Sequence, residues 1–195
     1  MTKHYKFLNK AGRGIVSYSG NLRWKIGEWN TCDPDRLELC QYGLHASKKV
    51  YQAFSYVQGD VLAEVECKGR HLDDDDKQVW SEMRIVKAWK WQKKDSVALA
   101  IFAAEMCLKE YEKLYPNDKR PRDAIEAAKA VLLHNTAKNR SAARSAARSA
   151  AWSAARSAAS ATWSAAWSAA WSAESAAIRK IDRWMSNHVK ELEEL

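Results

Sequence analysis

From residue 140 to 177 the chain keeps a four-residue metre, RSAARSAARSAAWSAARSAASATWSAAWSAAWSAESAA, with arginine or tryptophan on the beat. Alanine has the best helix propensity, and no Gly or Pro interrupts the run, so the stretch reads as helix. Steps of four advance about 400° at about 100° per residue, so each column drifts about 40° per repeat. The large row holds Arg140, Arg144, Arg148, Trp152, Arg156, Trp163, Trp167 and Trp171, and the interval from Arg156 to Trp163 resets its phase. The remaining rows are Ser and Ala, a face small enough for helices to approach to about 8 Å. Unbroken, the stretch would span about 57 Å, long for a compact domain. A break near residues 159–162 is expected, giving an Arg-rich and a Trp-rich helix packed antiparallel.

Glycine divides the chain. All seven glycines precede residue 70, and neither Gly nor Pro follows Pro121. Turn formers therefore crowd the first half and vanish from the second. The expected fold class is α+β: a small mixed α/β region over residues 1–94, then an alanine-rich helical bundle over residues 95–195. Residues 5–8 and 15–18 read as short strands around a turn at 11–14. Ser47 is placed to cap a short helix running to about residue 56. In VLAEVEC (61–67), Val61, Ala63, Val65 and Cys67 alternate with Leu62, Glu64 and Glu66, the pattern of a half-buried strand. MRIVKAWKW (83–91) reads as its partner, with the acidic run 73–76 in a loop between them. Helices are expected at 96–114, from Pro121 to about 134, and at 178–195, where Ile178, Ile181, Met185, Val189 and Leu192 keep core spacing.

The formal charge of +8 suggests an anionic partner, though many soluble proteins carry such a charge for colloidal reasons alone. No apolar run reaches the ~18 residues of a membrane span, and the N-terminus lacks a signal-peptide pattern. Cys32, Cys40, Cys67 and Cys107 are widely spaced, which suits reduced thiols in the cytoplasm. The ten Trp exceed ordinary usage several-fold; five lie in residues 24–91 and five in 152–184.

Ordinary repeat expansion would place the Trp in a core and the Arg in water. The Arg row resists that account, because its members repel one another at spacing four and only Glu174 offsets charge in the whole stretch. Uncompensated, regularly spaced Arg suits an anion or an acidic protein face, and neighbouring Trp offer stacking surfaces for a base. Arg120 and Arg122 add to the same cationic set.

Motifs for chemistry are sparse. His45 follows a Gly turn and precedes an expected helix start; Glu64, Glu66 or Glu82 could orient it as a general base. A structural, hydrogen-bonded His45 is the competing account. Zinc on Cys32, Cys40, His45 and Cys67 lacks the tight C-x2-C pair of structural sites. No P-loop, G-x-G-x-x-G, G-x-S-x-G or H-E-x-x-H occurs, so no cofactor, metal or catalytic residue is assigned.

NDKRPRDAIEAAKAVLL (117–133), followed by the alanine metre, resembles a family described as immunity proteins of bacterial polymorphic toxin systems. The shared positions are Asp118, Arg120, Pro121, Arg122, Ala124 and Ile125, while Lys129 stands where that family has Arg. The resemblance covers residues 95–185 and implies a helical, non-enzymatic neutralising protein. LCQYGLHAS (39–47), YVQGDVLAEVECKG (56–69) and DDDKQVWSEMRIVK (74–87) resemble an uncharacterised domain of bacteriophage proteins, whose Gly-Phe-His-Ala core is here Gly43, Leu44, His45 and Ala46. An ADP-ribosyltransferase-like fold also places short motifs at strand ends, but no full signature is present. Together these readings give a phage-type counter-defence protein in the host cytoplasm. It would sequester an anionic, nucleotide-like signal through the Arg and Trp row, without turnover and as a homo-oligomer. The alternatives are an inhibitor that covers a toxin or defence protein, and a nucleic-acid binder.

Overall fold

The computed structural model describes residues 3–19, 21–158 and 163–195, with side chains at all of these but 110, 150–158 and 163–175. The fold is mixed α+β, a sheet region followed by helices. Its contacts divide the chain into a sheet unit, Met1–Gln92 with Asp182–Leu195, and a helical unit, Lys93–Ile181.

The sheet unit contains β1 (His4–Ala11), β2 (Gly14–Val16), β3 (Arg23–Trp24), β4 (Trp29–Thr31) and β5 (Leu44–Ala46). After α1 (Val50–Tyr56) come the two long strands, β6 (Val61–Asp73) and β7 (Gln78–Lys90). The sheet runs β3-β2-β1-β6-β7-β4, with β5 also on β7, and curls into a near-barrel. β6 and β7 form one antiparallel hairpin from Val61 opposite Lys90 to Asp73 opposite Gln78. The sequence marks only 61–67 and 83–91 as strand. The charged run CKGRHLD extends β6 because β7 supplies its ladder partners.

β7 is the spine of the unit. Its other edge is met in turn by β5 at 78–80 and β4 at 82–84. Gly27 N–H then donates to the Ile85 carbonyl (2.8 Å), Leu195 N–H to Ala88 (2.9 Å) and Lys90 N–H to Glu193 (2.9 Å). An edge that would template aggregation is thereby covered along most of its length.

Leu8, Val61, Ala63, Val65, Met83, Ile85 and Ala88 fill the inward face with Trp24, Leu44 and Ala46. Leu62, expected on a solvated face, is fully buried. Phe7, opposite it in register, packs edge-on against Phe54 of α1 and against Trp91, so the second face of the sheet is covered too. Ser47 is not the helix cap: it exchanges backbone hydrogen bonds with Tyr5 (2.7 and 2.9 Å), and Lys49 occupies the cap position without a side-chain bond.

The helical unit contains α2 (Lys93–Leu114), α3 (Arg120–Leu133), α4 (Ala137–Ala158) and most of α5 (Trp163–His188). Pro116 ends the first of these and Pro121 sits in the first turn of the second. The last helix, expected to run to 195, stops at His188; a 3-10 turn and the segment beside β7 follow it. The expected boundary at 94/95 thus differs from the contacts, which return residues 182–195 to the sheet unit. The proposed break at 159–162 lies outside the described residues.

Candidate functional site

His45 sits in β5, held against Val79 of β7. The preceding Gly43 has φ +124, and a Cβ there would overlap the Val79 side chain, so this approach requires glycine. The ring Nε2 accepts the Cys40 N–H at 3.0 Å, at a residue whose own φ is +65. Burial, then the nearby Lys6 ammonium, holds the imidazole below its ordinary pKa, and a bond to the Gly43 backbone opposes them. Neutral imidazole is what accepting an N–H requires. The three carboxylates named as partners are engaged elsewhere: Glu64 with Lys3 (3.0 Å), Glu66 with Arg84 (2.5 Å) and Glu82 with Lys68 (3.1 Å). In this arrangement His45 ties down the loop that carries Cys40 and Gly43. Among the described residues no His, Cys, Asp or Glu side chains converge as a metal-holding group, so Cys32, Cys40, His45 and Cys67 do not form the zinc set weighed above.

Lys6 escapes sequence inspection. It shares a face of β1 with Leu8 and stands opposite Ala63 of the core. Its Nζ donates to the His45 carbonyl at 2.7 Å and lies 5.9 Å from the Trp24 ring centroid. Burial lowers its pKa to about 8, and burial raises that of Cys67 to about 12. The one signal of Lys6 in the sequence is its alternation with Leu8 along the strand.

In the helical unit the structure separates the expected anion ligands into three groups. Arg120 grips Asp118 with two nitrogens (2.8 and 2.7 Å), and Asp118 also accepts from the Arg120 backbone (3.1 Å) and Tyr111 Oη (2.8 Å). Arg122 grips Glu112 of α2 in the same forked manner (2.7 and 2.5 Å). An anion at either would have to displace a carboxylate. Arg140 Nη1 is bound to both oxygens of Asn135, closing the α3–α4 loop (3.0 and 2.7 Å). Lys129, where the resembled family has Arg, bridges Glu105 and Glu126, each at 2.9 Å.

Arg144 and Arg148 differ from these. Both are exposed, one turn apart on α4, and neither has an ion pair among the described residues. Ala137–Ala158 contains five cations and no acid. The side chains of Trp152, Arg156, Trp163, Trp167 and Trp171 lie outside the described residues.

Residues 2–95 match the model of a family described as a domain of unknown function, DUF7666. The first half is thus an uncharacterised domain, while no immunity-protein family model matches. The chain matches no curated protein and no solved structure. Among the described residues no helix is long and apolar enough to cross a membrane.

Proposed function

We propose that the protein sequesters an anionic, nucleotide-like molecule by binding it without turnover, with Arg144 and Arg148 of α4 as its phosphate ligands. The observation that carries this reading is their exposed, uncompensated pairing on a helix without acids. Like charges one turn apart oppose the helix unless a counter-charge joins them, and a guanidinium fork matches a phosphate. Arg156 continues the row, and the Trp of the metre offer a base a stacking surface. Arg120, Arg122 and Arg140 serve as scaffold. The likeness of residues 39–87 to a bacteriophage domain supports a counter-defence setting in the host cytoplasm, with the ligand a signal of the bacterial response. The small faces of α4 support self-association.

Native mass spectrometry of the full chain with cyclic di-AMP and cyclic GMP–AMP tests this. A stoichiometric adduct, released unchanged on denaturation, is expected. Arg144→Gln and Arg148→Gln should each weaken it about tenfold or more, since a hydrogen bond to a charged group is worth about 1.5–3 kcal/mol. No adduct with either probe, or one that these substitutions leave untouched, overturns the reading for this ligand class.

A protein target is the second reading, favoured by Leu133 at 77 % exposure and Leu114 at 74 %. Arg and exposed apolar side chains are both features of protein interfaces. Capture of a defence protein that is lost in Leu114→Ser and Leu133→Ser, with no nucleotide adduct, would select it.

A further inference from the structure

A cleft of about 580 Å³ opens in the sheet unit beside the β1–β2 hairpin, with Lys10, Arg13, Arg23 and Lys25 among its lining residues. Local geometry gathers these cations from two separate stretches of sequence. Ala11 pairs with Gly14, so Gly12 and Arg13 form the hairpin turn, and Gly12 takes φ +60. β3 then runs antiparallel to β2, setting Arg23 opposite Val16 and Trp24 opposite Ile15. Arg23 lies along the hairpin, its Nη1 3.9 Å from where a Gly14 Cβ would stand.

The charges of this cleft are answered differently from those elsewhere in the unit. Lys3, Lys68, Arg70 and Arg84 each meet a carboxylate at 2.5–3.1 Å. At the cleft only Lys25 does, through Glu28 at 3.2 Å, an exposed pair of little strength. Lys10, Arg13 and Arg23 have no ion pair among the described residues. Lys10 is fixed through its backbone, whose N–H donates to Asp60 at 2.6 Å, which leaves its ammonium for other work. Ile15, Trp24 and Ile26 make the rest of the lining mostly apolar, together with Gly14 and Leu195. The volume falls within the range of about 300–1,000 Å³ common for small-molecule sites.

We infer that this cleft is a binding site for a phosphate monoester bearing an apolar body of mononucleotide size. The two guanidiniums and the Lys10 ammonium take the phosphate, since guanidinium forks match its oxygens. The Ile15–Ile26 floor takes the body. A single cleft ringed by a few cations suits one anionic group better than a polyanion, which needs a continuous track of them. The inference does not rest on Arg144 and Arg148, which belong to the other unit.

Equilibrium dialysis of AMP against the full-length chain tests it, with adenosine as the phosphate-free probe. Saturable AMP binding is expected, with adenosine held far more weakly. Arg13→Gln and Arg23→Gln should each weaken AMP about tenfold or more. Lys87→Gln removes one exposed charge from β7 without touching the cleft and should leave the affinity unchanged. Absence of saturable AMP binding would overturn the inference, as would an unaltered affinity in the Arg13→Gln/Arg23→Gln double variant. So would displacement of AMP by a single-stranded oligonucleotide whose affinity falls steeply with salt, the mark of a polyanion track. If Arg144→Gln/Arg148→Gln abolishes AMP binding while the hairpin variants keep it, the ligand belongs to α4 and this site falls alone.

Discussion

Lys6 shares the inward face of β1 with Leu8, so the fold carries the cost of desolvating its ammonium, and one hydrogen bond to the His45 carbonyl offsets part of it. Its pKa of about 8 in the folded chain lies below the unfolded value of 10.5. Between those values the unfolded chain binds more protons, so stability should rise with pH across that window; below about 8 both states are protonated and the penalty is present in full. Lys6→Met should therefore stabilise the protein at neutral pH, on the order of 1 kcal/mol, and lose the rise that the native chain shows. Urea midpoints of the two chains at several pH values measure both effects, and a variant less stable than the native chain at neutral pH would refute the account. Substituting neighbouring His45 should have the opposite effect on stability. Its ring satisfies the Cys40 N–H inside a loop fixed by Gly43, so His45→Ala should cost about 1–2 kcal/mol. AMP binding should survive it. Loss of binding with unchanged stability would return His45 to the list of functional residues.

At the level of elements, the RPR segment is a clip. Asp118 accepts from the Arg120 side chain, the Arg120 backbone and Tyr111, so a single carboxylate closes the turn between α2 and α3. Asp118→Ala should cost about 1–3 kcal/mol in thermal or urea unfolding, because several donors lose one acceptor together. Arg122→Ala, at an exposed pair, should cost less; the reverse order would show that the clip lies elsewhere. None of this was visible in the sequence, since Glu112 lies ten residues before Arg122 in a different helix. Periodicity, by contrast, was legible. The alanine metre announced α4 and α5, and alternation in VLAEVEC, with MRIVKAWKW as its partner, located the open half of the β6–β7 hairpin. The distal arms of that hairpin were not legible, because residues 68–73 are charged and exposed and are strand only through pairing. The cleft was illegible for the same kind of reason: Lys10 and Arg13 meet Arg23 and Lys25 only once β1, β2 and β3 have formed.

For the whole molecule, the decisive fact is that the sheet unit is discontinuous in sequence. Glu193 and Leu195 bind the backbone of β7 at Lys90 and Ala88, Lys49 reaches Asp182 at 3.5 Å, and the His188 ring meets Trp91 edge-on at 5.8 Å. Met185 is fully buried in the same unit and Val189 nearly so. A fragment ending at residue 95, as the matched domain does, would lose all of this. Burying one such side chain is worth about 1.5–3 kcal/mol, and two backbone hydrogen bonds contribute about 0.5–1.5 kcal/mol each, against a whole-domain stability of about 5–15 kcal/mol. The fragment 1–95 should therefore unfold at a much lower urea concentration than the full chain, or fail to fold, with Trp91 exposed. Supplying residues 182–195 again, joined to residue 92 by a flexible Gly/Ser linker, should restore a cooperative transition. The linked and unlinked fragments are distinguished by intrinsic Trp fluorescence in urea. Equal midpoints would mean that residues 1–95 are self-sufficient and the C-terminal segment only decorates them. A restored midpoint would mean that the helical unit is an insertion between two parts of one sheet domain, whose cleft includes Leu195 and so depends on both ends of the chain.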